Sequence, residues 1–155
     1  MDKLEFIIQE QQNDNYQFKT VAILVNHLDI IDSLRKYEMP FAKKEGSEII
    51  AGGYDGLSPE TLYKHLTNPE EYDEDKNGKV SILECKCGCE GCWPMKIKAI
   101  DFGDKIIWTD FEQPHRNFDS HNFWDYSEFG QFSFDKTEYN EQLDRLKQTM
   151  LNATK

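Results

Sequence analysis

The sequence lacks long hydrophobic runs, and its few cysteines all fall in one short segment. No stretch approaches the roughly 18 consecutive apolar residues that a membrane-spanning helix needs, and the first residues do not form a signal-peptide pattern. We therefore expect a cytoplasmic protein, in which thiols stay reduced. All four cysteines lie between positions 85 and 92, so they cannot cross-link distant segments as a disulfide framework does.

Basic residues are also scarce. Eighteen lysines and arginines stand against 29 aspartates and glutamates, which gives a formal net charge of −11. This charge repels phosphate backbones and anionic lipids, and it argues against nucleic-acid and membrane partners. It suits a basic protein as a partner, although an acidic surface also simply increases solubility. We therefore expect the partner to be a small molecule or another protein, with a basic protein as one candidate.

Familiar catalytic patterns are missing as well. We identify no Ser-His-Asp set, no glycine-rich phosphate loop and no H-E-x-x-H motif. A non-enzymatic role in binding or protein interaction is therefore favoured, and no catalytic residue is assigned.

The length of 155 residues and the hydrophobic content of 38% fit one globular domain over residues 1–155. Alternating and β-branched stretches predict strands, while capping signals predict helices. The predicted strands cover 4–8, 18–25, 80–84, 97–102 and 105–111, and the predicted helices cover 29–38, 58–66 and a C-terminal stretch from 135. The order β-β-α-α-β-β-β-α lacks βαβ alternation, which predicts an α+β fold with about three helices on an antiparallel sheet of about five strands.

Several residues predict where these elements begin and end. Ser58 and Asp135 are the expected helix caps, and Pro40 is expected to limit the first helix. Gly103-Asp104 predicts a two-residue hairpin turn. The polar run 9–17 predicts a long loop between the first two strands.

The segment DEDKNGKVSILE matches a calcium-binding loop. Asp73, Asp75 and Asn77 occupy the first, third and fifth positions and Glu84 the twelfth, so carboxylate and amide oxygens are available to a hard cation. An EF-hand, however, needs a helix on each side of the loop, and Pro69 interrupts the approach. The alternative interpretation is an acidic turn that leads into a strand.

The cysteines follow the pattern C-x-C-x-C-x-x-C, which suits a zinc site because thiolates are good zinc ligands. These residues are Cys85, Cys87, Cys89 and Cys92. A structural zinc site usually draws ligands from separate segments, and His115 or His121 would complete one only if the chain folded back. No cofactor is expected as a requirement, and zinc is favoured over calcium if this region binds a metal.

Two other interpretations of the cysteines remain open. A C-x-x-C pair can carry out thiol redox chemistry, although here a strand, not a helix, is predicted to follow it. The favoured interpretation is that the cysteines are small buried side chains that let a sheet corner pack closely.

Four stretches, ECKCGCEGCWPM, IWTDFEQPHR, WDYSEFGQFSFDKTEYNEQL and AGGYDGLSP, together resemble a family of small uncharacterised bacterial proteins. Its members are similar in carrying a C-x-C-G-x-x-x-C turn and a W-x-Y-x-x-x-G-x-F-x-F box before the last helix. The resemblance covers about residues 46–146. It implies a shared fold and a bacterial origin, and it implies no activity.

Ten aromatic residues fall within positions 102–134. Inside this segment, His115 and Arg116 are candidate ligand-binding residues, with Trp108 and Trp124 as candidate walls. The planar Arg116 side chain suits a carboxylate or phosphate. In the structural alternative, the aromatics hold an irregular segment on the sheet and Arg116 pairs with a nearby acidic residue.

Overall fold

A computed structural model describes residues 1–87 and 92–153 of the chain. These residues form three helices and eight strands, the strands arranged in two antiparallel sheets. The strands are β1 (Leu4–Gln12), β2 (Gln17–Val25), β3 (Leu28–Asp29), β4 (Tyr54–Gly56), β5 (Val80–Cys85), β6 (Met95–Asp101), β7 (Lys105–Glu112) and β8 (Phe132–Asp135), and the helices are α1 (Ile30–Lys44), α2 (Pro59–Thr67) and α3 (Lys136–Ala153). The α+β class and the order of the predicted elements are confirmed. The short strands β3, β4 and β8 were not predicted.

The smaller sheet has the order β1-β2-β3. The prediction of a long loop over residues 9–17 was wrong, because β1 and β2 stay paired as far as Gln12 and Gln17. Polar residues can extend a strand pair where the faces are solvated. One such cross-strand contact is the 3.3 Å hydrogen bond that Gln11 Nε2 donates to Thr20 Oγ1.

The larger sheet has the order β4-β5-β6-β7-β8 and meets the smaller sheet at two places. Asp2 N donates to Ser133 O at 2.8 Å, and Val21 N donates to Leu57 O at 2.9 Å. Beside the second contact, a Cβ atom on Gly56 would lie 2.2 Å from the Val21 carbonyl oxygen. Only glycine permits this close approach of the two sheets.

Helix α1 continues through Pro40 to Lys44, so the predicted end at residue 38 was wrong. A proline removes one helical hydrogen bond and crowds the preceding turn. Tertiary contacts stabilise the additional residues, since Ala42 is fully buried and the Phe41 ring stacks on Trp124 at a centroid distance of 6.0 Å.

The predicted caps and the hairpin turn are confirmed. Ser58 Oγ accepts from Thr61 N at 3.1 Å at the start of α2, and Asp135 Oδ2 accepts from Glu138 N at 3.0 Å at the start of α3. Phe102 N donates to Lys105 O at 2.9 Å across the Gly103-Asp104 turn. One cluster of buried residues contains side chains from both sheets and from all three helices. No helix among residues 1–87 and 92–153 is long and apolar enough to cross a membrane.

Candidate functional site

Three cysteine thiols meet in the connection between β5 and β6. Cys85 is the last residue of β5, Cys87 follows in a turn, and Cys92 precedes β6. Their sulfur atoms all lie within 4.8 Å of one another. Cys87 Sγ donates to Cys85 Sγ at 3.0 Å, and the Cys87 N–H points at the same sulfur at 3.4 Å. Cys89, the remaining cysteine of the pattern, lies outside the described residues.

The thiols are accessible from solvent. Cys85 is partly buried, whereas Cys87 and Cys92 are exposed. The interpretation that these cysteines pack as small buried side chains was therefore wrong for Cys87 and Cys92. Cys87 and Cys92 lie at the surface, so removing their side chains would leave no enclosed cavity.

The neighbouring thiols also affect the protonation of Cys92. Hydrogen bonding with the Cys85 thiol, and then with that of Cys87, raises the pKa of Cys92 to about 12. A reactive redox thiol instead needs a lowered pKa, which a helix N-terminus or basic neighbours provide. Here Cys92 is followed by strand β6. Cys92 therefore lacks the lowered pKa that activates a redox thiol.

Among residues 1–87 and 92–153, the thiol cluster is the one group of at least three histidine, cysteine or acidic side chains close enough to share a metal ion. Neither His115 nor His121 joins it. Thiolates select soft or borderline ions such as zinc. In the described residues, the candidate metal ligands of this cluster are all sulfur atoms.

The first part of the predicted calcium loop forms a self-contained turn. Asp73 Oδ1 accepts from Asn77 N at 3.0 Å, and its Oδ2 accepts from Gly78 N at 2.6 Å. Partial desolvation alone would raise the pKa of Asp73, but hydrogen bonds from the backbone of Gly78, Asn77 and Lys79 lower it below its ordinary value. These N–H groups already satisfy the Asp73 carboxylate.

The other two predicted calcium ligands lie in different surroundings. Lys96 Nζ, whose side chain is only 9% exposed, donates to Asp75 Oδ2 at 2.8 Å. Glu84 lies within β5, opposite Asp55 of β4. A bidentate glutamate of an EF-hand belongs instead to the helix that leaves the loop. Asp75 and Glu84 line the same cleft, but Asp73, Asp75 and Glu84 do not form a group close enough to share a metal ion.

Arg116 binds an acidic residue at the end of α1. Its Nε lies 3.1 and 3.0 Å from the two carboxylate oxygens of Glu45, and its Nη2 lies 3.0 Å from Oε1. Trp124 Nε1 donates to the same carboxylate at 2.5 Å. Burial alone would raise the pKa of Glu45, but the hydrogen bonds from Arg116 and Trp124 lower it below its ordinary value. The guanidinium carbon also lies 5.1 Å from the Trp93 ring centroid and 5.7 Å from that of Trp124.

His115 lies beside this ion pair. Its ring stacks on Trp93 with a centroid distance of 5.8 Å and an interplanar angle of 8°. Its backbone N–H donates to Gln113 Oε1 at 3.0 Å, which fixes the turn that presents the ring. Trp93 immediately follows Cys92, so this stack adjoins the thiol cluster.

The four predicted ligand residues do not form one group. Trp108 is fully buried, and its Nε1 donates to Tyr139 Oη at 3.1 Å between β7 and α3. His115, Arg116 and Trp124 instead meet around Trp93. A ligand-binding role for these residues stays a prediction, and the contact of Arg116 with Glu45 matches the structural alternative.

One buried acidic residue, Glu38, was not predicted from the sequence. The side chain of Glu38 is fully buried, and its Oε1 accepts from Gly52 N at 2.8 Å. Its Oε2 accepts from the hydroxyls of Tyr54 and Tyr126, each at 2.5 Å. Gln113 extends this network by donating to the Tyr54 hydroxyl at 3.3 Å. Burial raises the pKa of Glu38, and the three hydrogen bonds partly offset this effect.

A signal for this network was present in the sequence. Ile30, Leu34, Glu38 and Ala42 recur at intervals of four, and all four are buried on one side of α1. An acidic residue within an apolar helical stripe must find hydrogen-bond partners when it is buried. The position of Glu38 therefore indicated a buried network, but it did not identify the tyrosines.

No protein-family model matches the chain, and no curated protein or solved structure is significantly similar to it. The geometry defines a class only, an α+β protein with a surface cluster of thiols. The resemblance to small bacterial proteins stays a prediction.

We predict that calcium does not bind tightly to residues 73–84. Asp75 is engaged by Lys96, and Glu84 extends along a strand, so the oxygen ligands cannot close around an ion without breaking these contacts. Isothermal titration should show no site with a Kd below about 10⁻⁴ M. A micromolar site that Glu84→Gln abolishes would contradict this prediction.

We predict that Arg116→Ala lowers the free energy of unfolding by about 2–4 kcal/mol, because it leaves the Glu45 carboxylate without its cation. The value lies below that for a fully buried pair, since 24% of the Arg116 side chain is exposed. Lys64→Ala is the matched control, because Lys64 pairs with Glu60 at the surface and should contribute less than about 1 kcal/mol. Urea denaturation measures the free energy of unfolding of both variants. If Arg116→Ala and Lys64→Ala lowered it equally, the pair of Arg116 with Glu45 would not be structural.

We predict that Glu38→Gln changes the pH dependence of stability. The folded-state pKa of Glu38 is raised, so its contribution is complete below its ordinary value of 4.5 and is lost as the pH rises through the folded-state value. The stability advantage of the wild type over Glu38→Gln should therefore decline as the pH rises from 4.5 through the neutral range. Urea denaturation of both proteins measures this difference. A constant difference over the range would mean that the pKa is not raised.

Proposed function

We propose that the chain is a non-enzymatic binding protein in which Cys85, Cys87 and Cys92 hold a zinc ion. The observation that carries the proposal is the convergence of three sulfur atoms to within 4.8 Å of one another. Thiolates around zinc at about 2.3 Å stand about 3.8 Å apart in a tetrahedron. The observed cluster needs only small side-chain adjustments to reach that arrangement.

Soft ligand chemistry favours zinc over calcium. Calcium takes six to eight oxygen ligands, whereas the described members of this cluster offer sulfur alone. Cys89 belongs to the same C-x-C-x-C-x-x-C pattern and is the natural fourth ligand in sequence. A Cys₄ set would leave no open coordination position, which fits a binding role and not a hydrolytic one.

The backbone supports the ligands from both sides. Cys85 pairs with Tyr54 of β4, and Lys86 N donates to Gly53 O at 3.4 Å. On the other side, Pro94 is buried and Met95 begins β6. A metal ion would therefore tie together two ends of a loop that the sheet already holds close. Such preorganisation reduces the ordering cost of binding.

The exposed thiols require a reducing environment, because oxidation would remove the ligands. This supports a cytoplasmic location as part of the proposal. The resemblance to small bacterial proteins is consistent with it but assigns no activity. The partner of the protein beyond the metal is a small molecule or another protein, and the net charge of −11 suits a basic one.

We predict about one zinc ion per chain in protein purified under reducing conditions. Cys85→Ser and Cys92→Ser should each lose most of this zinc, because each removes a thiolate from the cluster. Elemental analysis of the purified proteins, with a chromogenic chelator to follow release, measures the content. Zinc affinity should also fall as the pH is lowered, because binding requires the thiols to lose their protons.

Lys86→Ala provides the matched control, since Lys86 is an exposed loop residue between two of the ligands and carries no sulfur. It should retain zinc at the wild-type level. The proposal fails if the wild type is isolated without metal and the reduced protein takes up none when zinc is added. Loss of zinc in Lys86→Ala as large as in the serine variants would show that loop conformation, and not thiol ligation, is responsible.

A further inference from the structure

A cleft lies between β7 and the segment that precedes β8, and Trp124 forms part of its lining. It has a volume of about 430 Å³, which is within the usual range for sites that bind small molecules. Its aromatic lining consists of Phe111, Phe118, Phe123, Trp124, Tyr126 and Phe129. Trp124 and Tyr126 are buried, so they form a fixed base for the cleft.

Two of the aromatic side chains are unusually exposed. Phe118 is 83% exposed and Phe123 is 47% exposed. Their rings stand nearly perpendicular to each other, with centroids 5.9 Å apart. They contact each other at the edge of the cleft and leave ring surface open to solvent. Exposed aromatic surface next to a concave site commonly marks a binding surface.

The cleft also contains acidic groups. Asp110 lies in β7 with a positive φ of 54°, at the point where the pairing of β6 with β7 shifts register between Lys96 and Lys98. Such strained positions in β-bulges reorient a side chain and occur often beside functional sites. The Asp110 side chain is 55% exposed, and its closest cation, Lys98 Nζ, is 3.8 Å away.

The other charged groups that line the cleft are Glu112, Asp125 and Lys79. Glu112 accepts from Lys79 Nζ at 3.3 Å, so these two charges offset each other. Asp125 Oδ1 accepts from Ser127 N at 2.8 Å, and hydrogen bonds from Ser127 lower the pKa of Asp125. The three carboxylates face two lysines, Lys79 and Lys98, so the cleft keeps an excess of one negative charge.

We infer that this cleft binds a methylated ammonium ion between the exposed rings of Phe118 and Phe123 and the carboxylates of Asp110 and Asp125. Aromatic faces attract cations through the ring quadrupole, and methyl groups on the nitrogen add apolar contact area. The carboxylates supply the opposite charge. The net charge of −11 increases the local concentration of cations near the surface. This site is separate from the thiol cluster, and it does not depend on the proposed zinc binding.

The experiment is a titration of isotope-labelled protein with choline, followed by NMR. Shifts should concentrate on the β7 bulge and on the segment around Phe118 and Phe123, with a Kd of about 1 mM for this small probe. The matched neutral probe is 3,3-dimethylbutan-1-ol, in which carbon replaces the charged nitrogen. It should bind at least about tenfold more weakly if charge recognition is involved. Equal binding of the two probes would overturn the inference, since the cleft would then recognise only apolar shape.

Variants test the individual groups. Phe118→Ala and Asp110→Asn should each weaken choline binding by about two- to fivefold, as expected for single exposed cation contacts. The matched controls are Phe102→Ala and Asp104→Asn, which alter an exposed aromatic and an exposed acidic residue at the far end of the β6–β7 hairpin. They should leave the Kd unchanged. Equal effects of controls and cleft variants would also overturn the inference.

A methylated ammonium ion can come from a free metabolite or from a modified lysine of a protein. A short peptide with trimethyllysine, compared with its unmodified counterpart, distinguishes the two sources. Tighter binding of the modified peptide than of choline would identify a protein ligand, whereas the reverse order would identify a free cation. Failure of choline and of both peptides to shift any cleft resonance would refute the site.

Discussion

The packing of the chain around α1 depends on the buried carboxylate of Glu38. Its oxygens accept hydrogen bonds from Gly52, Tyr54 and Tyr126, which are 14, 16 and 88 residues away in sequence. A buried carboxylate that lost one of these donors would retain its desolvation cost without full compensation. The two segments that carry these donors must therefore reach their positions together with α1. Such networks stabilise one arrangement over others when every member is satisfied.

A second glutamate of the same helix holds the aromatic segment in place. Glu45, the residue that caps the C-terminus of α1, binds both Arg116 and Trp124. Directly before Glu38 in the same helix, the Tyr37 hydroxyl donates to Asp125 O at 2.7 Å. The irregular segment after β7 is thus attached to α1 at several points along the helix. Because it is held in this way, its outer side can keep aromatic rings exposed without collapsing onto the sheet.

The limits of prediction from sequence follow from the range of the interactions involved. The caps at Ser58 and Asp135 and the turn at Gly103 depend on neighbouring residues, so local patterns identified them. The continuation of α1 past Pro40 depends on contacts with Trp124, 83 residues away from Phe41, and no local pattern contains that information. The spacing of the cysteines indicated that they could share a ligand, whereas their exposure depends on where β5 ends in the sheet.

The two proposed sites have a common electrostatic basis, although their chemistry differs. The thiol cluster suits a zinc ion through ligand softness, and the aromatic cleft suits an organic cation through ring faces and carboxylates. Both lie on a protein with 29 acidic against 18 basic residues, whose field attracts cations of either kind. Discrimination between the two kinds of cation must therefore come from local geometry: sulfur atoms within 4.8 Å of one another at one site, and aromatic ring centroids 5.9 Å apart at the other.

Trp93 and Trp124 contact each other between the two sites, with ring centroids 5.8 Å apart, so each site has a tryptophan in the same rigid cluster. A zinc ion that repositions Cys92 would act on Trp93 directly, because the two residues are adjacent in the chain.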